Sequence, residues 1–237
     1  MLNISCDPYM ADRGIRFEDL PIRTRKWMIA GDVEVYFCKN TGPYRKLLPV
    51  IERLGCGNFL VATADDDVLY PPEWLEGLAN VAIPHNCVAA YRCRVMQWKG
   101  GELAPYNHWP VLACAADLKA RGMEDSTPYR QLFATGRDGV MYHASYLRDI
   151  DALRQLRLLA PGQDDIAFKF TTLMAGVSVA KVARREGSTA APCEFPAAVS
   201  GGSSLWANNS TGRNDEVLAE VIEWCRRHRS FVFTQQS

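Results

Sequence analysis

The chain has 237 residues, 48% of them hydrophobic, enough to bury a substantial core in one α/β unit. Lysine plus arginine balances aspartate plus glutamate at 27 each, so no global field points to nucleic acid or to an anionic membrane. No apolar run reaches the roughly 18 residues that a bilayer span requires, and the opening MLNISCDPYM lacks the basic and apolar regions of a secretory leader.

The eight cysteines form no CxxC pair and no zinc-like cluster with histidine. Cys38, Cys87, Cys93, Cys114 and Cys225 stand among apolar residues, which predicts reduced core thiols and a cytoplasmic setting.

In chain order, residues 2–5 read as the tail of a strand, 7–14 as a loop and 22–28 as an indistinct helical stretch. Val33, Val35 and Phe37 alternate with Glu34 and Tyr36, a strand pattern. The turn at residues 40–46, NTGPYRK, feeds a helix carrying Leu47, Leu48, Val50, Ile51 and Leu54, with Pro49 near its start. Arg45 and Lys46 at such a helix start either hold a phosphate with the backbone N–H groups or stay as two solvated bases.

Residues 59–78, FLVATADDDVLYPPEWLEGL, organise the reading. The apolar run 59–62 predicts a buried strand. It ends in Asp65, Asp66 and Asp67, and Pro71 and Pro72 then precede a helix with Trp74, Leu75, Leu78 and Val81 at helical spacing. The carboxyl end of a strand is where ligands bind in open α/β sheets. If the segment stays extended, Asp65 and Asp67 share a face and Asp66 opposes them. Two hard oxygen ligands on one side suit Mg²⁺ or Mn²⁺, above all when a diphosphate completes the shell; the alternative is a solvated acidic turn.

Residues 87–96, CVAAYRCRVM, predict one strand with Arg92 and Arg94 on one side, facing either a phosphate or a neighbouring carboxylate. Residues 98–109 predict a loop in which Tyr106 and Trp109 either stack on a sugar or simply pack. Thr135-Gly136-Arg137-Asp138-Gly139 is a turn whose glycines let the backbone approach a ligand, or merely let it reverse. Two helices follow, over 147–159 and from Gln163-Asp164-Asp165 to Gly176. The two acids suit the positive end of the second helix dipole. Val177, Val179 and Lys181 alternate as a strand. Residues 187–213, rich in Gly, Ser, Ala and Pro, predict a long loop that Trp206, Asn208 and Asn209 lean toward a lid. The chain closes with a helix capped by Asn214, buried through Val217, Leu218, Val221, Ile222 and Cys225. Its last turn, Arg226, Arg227, His228 and Arg229, either matches the dipole or offers a peripheral contact to a membrane surface.

In this order, TGPYRKLLP, TADDDVLYPPEWL, TGRDGVMY, APGQDDIAFK and LWANNSTGRND make the chain resemble bacterial glycosyltransferases of the GT-A fold, in the broad family-2-like group. The resemblance implies one domain over 1–237, a mixed central sheet flanked by helices, with a donor and metal half over 1–96 and an acceptor half over 97–237. It implies an inverting, metal-dependent (Mn²⁺ or Mg²⁺) hexosyl transfer from a nucleotide-sugar donor, UDP-type first, to a hydroxyl acceptor such as a surface glycan in polysaccharide biosynthesis.

Residue by residue, the resemblance implies that Asp65 and Asp67 hold the metal and diphosphate, with Asp66, Lys46, Arg92, Gly136 and Gly139 around the donor. It implies Asp165 as catalytic base with Asp164 beside it. Met1 falls at about the family's second strand, so a first strand and helix of the nucleoside pocket are expected to be missing, and the usual QxxRW-like element is not visible. A nucleotidyltransferase, and a non-catalytic sugar-nucleotide-binding or scaffold protein, are the competing expectations; a homo-oligomer and a cytoplasmic or inner-face location complete the reading.

Overall fold

The computed structural model describes residues 1–10, 12–112, 115–183, 212–229 and 231. The chain divides into two compact units, Met1–Gly55 and Cys56–Ser237. Among the described residues no helix is long and apolar enough to cross a membrane.

In the first unit, β1 (Leu2–Ile4) and β2 (Val35–Phe37) pair in parallel, Leu2 opposite Val35. Between them α1 (Ile22–Ala30) ends at Gly31, whose φ of 80° supplies the left-handed cap. As the sequence predicts, the turn, a 3-10 turn over Gly42–Lys46, feeds one helix, α2 (Leu48–Leu54), with Pro49 in its first turn, where a missing N–H costs nothing.

The second unit is α/β with a mixed sheet. Its strands are β3 (Leu60–Thr63), β4 (Val88–Ala90), β9 (Pro128–Tyr129), β11 (Val140–His143) and β12 (Val179–Lys181), in the spatial order β3-β11-β4-β12-β9. β11 runs antiparallel to both β3 and β4, while β4 and β12 are parallel. Alternation sorts the side chains. Ala89, Tyr91, Met141, Ala180 and Val182 bury one face together with Leu78, Val81 and Ala82 of α3 (Trp74–His85). On Tyr142 of β11 packs Phe168 of α6 (Asp164–Met174), ring edge to ring face at 5.9 Å. Beside α6 lie α5 (Ile150–Leu159) and the final helix, Arg213–Arg229, numbered α7 after the short α4 (Ala115–Lys119).

The stretch 87–96 is not one strand. It breaks at Tyr91-Arg92 into β4 and β5 (Cys93–Val95), and β5 joins a separate antiparallel sheet between β10 (Leu132–Ala134) and β8 (Val111–Leu112). Residues 98–103 form a hairpin of β6 (Trp98–Lys99) and β7 (Glu102–Leu103) rather than an open loop. Trp109 is buried, and it packs with Tyr106 and Phe133 at centroid distances of 5.0 and 5.6 Å. These contacts hold Trp109 in the core rather than presenting it to a sugar.

α7 begins at Arg213, one residue before the expected cap. Residues 187–211 of the expected lid, with Trp206, Asn208 and Asn209, lie outside the described residues, as does Cys114. Cys87, Cys93 and Cys225 are buried free thiols, and Cys38 is half-buried.

Candidate functional site

β3 and β11 are antiparallel neighbours, and Thr63 stands opposite Val140. The chain leaves β3 just beyond Thr63 and enters β11 just before Val140. The three aspartates and the 135–139 loop therefore occupy the same end of the sheet. The hydroxyl of Thr63 donates to the Val140 carbonyl at 3.3 Å and closes that end.

Period-two alternation does not reach the acids. The strand stops at Thr63, and Asp66 and Asp67 lie in a turn, both exposed, with Asp65 half-buried. Beyond Thr63 no ladder partner keeps the backbone extended, so the shared face expected for Asp65 and Asp67 does not follow from pleating. What orders the turn is Tyr70, whose hydroxyl accepts the Asp65 backbone N–H at 2.8 Å. Tyr70 in turn packs on Trp74, with ring centroids 4.6 Å apart.

Trp74 reaches from the start of α3 to the loop. Its indole N–H donates to the Asp138 carbonyl at 2.9 Å, and its own carbonyl accepts from the Tyr91 hydroxyl. Gly139 has a φ of 96°, and a Cβ there would lie 2.5 Å from Cζ2 of this indole. The glycine is thus required by Trp74 as well as by the left-handed backbone. Asp138, fully buried and also at positive φ (71°), stands near Arg137 at 3.8 Å.

At the other end of the loop, the Gly136 N–H is shared by both carboxylate oxygens of Asp165, at 3.0 Å to each. Asp165 and the buried Asp164 open α6, where the free N–H groups and the dipole favour negative charge. One residue back, the Thr135 hydroxyl accepts from the Arg92 guanidinium at 3.1 Å. Thr135 and Gly136 therefore bring Arg92 and Asp165 to one short piece of backbone. Arg94 is held elsewhere: it donates to the Trp109 carbonyl at 2.9 Å and stacks over the Tyr106 ring. Burial pushes the Tyr106 phenol up to about 12, the nearby Asp165 charge adds to this, and Arg94 and Arg92 oppose it.

Of the residues singled out by sequence, Asp65, Asp66, Asp67, Gly136, Gly139, Arg92, Asp164 and Asp165 all belong to the second unit. Lys46 is half-buried in the first. Its neighbour Arg45 is committed to an ion pair with Asp12. Tyr70, Trp74 and Asp138 connect the site and were not marked as functional by any motif. Trp74 was visible only as one apolar position of a helical stripe.

Among the described residues no set of three or more His, Cys, Asp and Glu side chains converges. An all-protein metal cage is therefore not available there. A cation that binds through one or two carboxylates and takes its other oxygens from a ligand's phosphates and water does fit an acidic turn of this kind, and Mg²⁺ and Mn²⁺ bind in that way. Scanned against protein-family models the chain matches none, and no curated protein matches it in sequence.

Proposed function

We propose that this chain is a glycosyltransferase of the GT-A type, moving a sugar from a nucleotide-sugar donor to a hydroxyl acceptor with inversion. One observation carries the reading: an acidic turn and a backbone-anchored carboxylate, Asp165, are tied to opposite ends of the same short loop at one sheet end. Separate acids for the leaving group and for the nucleophile are what such a displacement needs.

In this proposal Asp65 and Asp67 hold Mg²⁺ or Mn²⁺ with the donor diphosphate, Asp67 as the direct ligand. Once bound, the cation supplies charge neutralisation for the departing diphosphate. Asp165 accepts the proton of the acceptor hydroxyl while that oxygen attacks the anomeric carbon. The new C–O bond forms on the face opposite the bond that breaks, and the electron pair leaves with the diphosphate through an oxocarbenium-like transition state. The Gly136 N–H keeps the Asp165 carboxylate in a fixed orientation, so no reorganisation is needed at the moment of transfer.

Calorimetry of UDP with Mn²⁺, paired with a donor-turnover assay, tests this. Asp67→Ala should lose the metal-dependent part of donor binding. Asp165→Asn should bind donor normally and lose about 10²- to 10⁴-fold in turnover. Equal donor affinity in the native chain and Asp67→Ala would reject the metal role, and undiminished turnover in Asp165→Asn would reject the base.

A further inference from the structure

β11 ends at His143, which stands opposite Leu60, the first residue of β3. This is the end of the sheet away from the acidic turn. The chain enters β3 just after Asn58, and the 3-10 turn Ala144–Leu147 follows His143 at once. Asn58 is exposed, and His143 and Ser145 are half-buried.

The His143 imidazole is held at both ring nitrogens. Nδ1 accepts the Ser145 backbone N–H at 3.3 Å and lies 2.7 Å from the Ser145 Oγ, and Nε2 lies 3.0 Å from the Asn58 Oδ1. A backbone N–H can only donate, so Nδ1 is the bare nitrogen and Nε2 carries the proton, which it donates to Asn58. The Ser145 hydroxyl is then the donor in its contact with Nδ1. Tyr146 packs on the imidazole, with ring centroids 5.4 Å apart. Capping of the 3-10 turn explains the contact with the Ser145 N–H. It explains neither the hydroxyl directed at the same nitrogen nor the amide that reaches Nε2 from 85 residues earlier in the chain.

We propose that Ser145, His143 and Asn58 form a second catalytic site, an acyl-transfer site for small activated esters. Nucleophile, base and orienting amide stand in hydrogen-bonded order, with asparagine in the third place as in cysteine–histidine–asparagine systems. The Ser145 Oγ attacks the acyl carbon and forms a new C–O bond while its proton passes to Nδ1. The bond to the leaving oxygen breaks, and that oxygen takes the proton from Nδ1 and departs as the alcohol. Water then attacks the acyl-serine, gives a proton to Nδ1, and releases the acid as Oγ recovers its proton. Nδ1 shares its lone pair with a backbone N–H, which weakens it as a base. The ester must therefore have a good leaving group, such as an aryl oxide. Leu60, 37% exposed and opposite His143, offers apolar surface to a short acyl chain. Asn58 is a positioning residue. The site shares no residue with the sugar-transfer reading and does not depend on it.

The test is treatment of the full chain with p-nitrophenyl acetate and, separately, with an alkyl fluorophosphonate, followed by mass spectrometry of the peptides. Both reagents should modify Ser145, and Ser145→Ala should lose that modification. His143→Gln should slow it about 100-fold. Asn58→Ala should slow it with an unchanged melting curve, since the side chain is exposed, and Asn58→Asp, which still presents an oxygen to Nε2, should restore it. Asn58→Ala keeps the test decisive where His143→Gln fails to fold. His85→Gln, at an exposed histidine elsewhere, should leave the rate unaltered. An unmodified Ser145, modification spread evenly over other serines, or equal rates in the native chain and Asn58→Ala would overturn the proposal.

Discussion

Replacing Gly139 by alanine tests whether Trp74 and the 135–139 loop are packed as one piece. Two costs add at this position. A side chain at a φ of 96° carries backbone strain of about 1–3 kcal/mol. The added methyl would also sit 2.5 Å from Cζ2 and 2.6 Å from Cε2 of the indole, an overpacking worth about 1–3 kcal/mol. Trp74 cannot step aside freely, because its N–H is bonded to the Asp138 carbonyl. The expected loss is therefore about 2–6 kcal/mol, read as a lower urea midpoint with an unchanged slope. Gly176→Ala provides the control: its φ is 79°, but nothing lies within 4 Å of the added carbon, so only the backbone cost applies. Because Gly136 orients Asp165, the displaced loop of Gly139→Ala should lower turnover as well as stability. Equal losses at the two glycines would refute the reasoning, since the indole contact would then contribute nothing.

Lys169 is buried in α6, and its ammonium donates to the Arg130 carbonyl at 2.8 Å. Burial, with Arg130 nearby, pulls it down to about 7. The unfolded chain keeps that proton up to the ordinary lysine value, so unfolding takes up a proton in between and stability should rise with pH from about 7. The rise should amount to about 2 kcal/mol by pH 9, where the buried thiols, Cys93 at about 12 among them, begin to act the other way; Lys169→Met should flatten the curve measured by urea unfolding. Asp149 caps α5 through the Ala152 N–H and pairs with Arg229 of α7, whose hydrogen bond holds its carboxyl below the usual range. Asp149→Ala should cost about 1–2 kcal/mol at neutral pH, most of it the cap because the pair is partly exposed, and the native side chain's contribution should fade as pH falls below the ordinary carboxylate value. A double-mutant cycle with Arg229→Ala separates the two parts.

The strand-to-helix passage around the aspartates is legible because apolar run, acids, prolines and helical stripe come in one order, but the burial expected of the 59–62 run fails: β3 is an edge strand, with Leu60 exposed and Val61 and Ala62 half-buried. The strand at Val35–Phe37, shorter than the alternation over 33–37, the 164–174 helix and the final helix follow from periodicity, a local cause. Other features depend on partners distant in sequence. Nothing inside CVAAYRCRVM says that it divides between two sheets, since the division is made by β11 and β12 on one side and by β8 and β10 on the other. Trp109 and Tyr106 carry no local sign of burial, because Phe133 and Arg94 cover them from other strands. The pleated arrangement of Asp65 and Asp67 extends a rule past the residue where its cause, the ladder with β11, comes to an end.

The 135–139 loop explains why distant motifs converge on this sheet end. Its first residues hold Arg92 and Asp165, and its last residues hold Trp74, on which rests the tyrosine that orders Asp65. A strand end alone would leave the acidic turn and the α6 carboxylate independent of each other. Here they share one backbone segment with two left-handed residues, Asp138 and Gly139, and few low-energy alternatives. A change at the indole is therefore transmitted to both acids, whereas a change at an exposed aspartate stays local. That asymmetry follows from the contacts themselves, whatever ligand the acids serve.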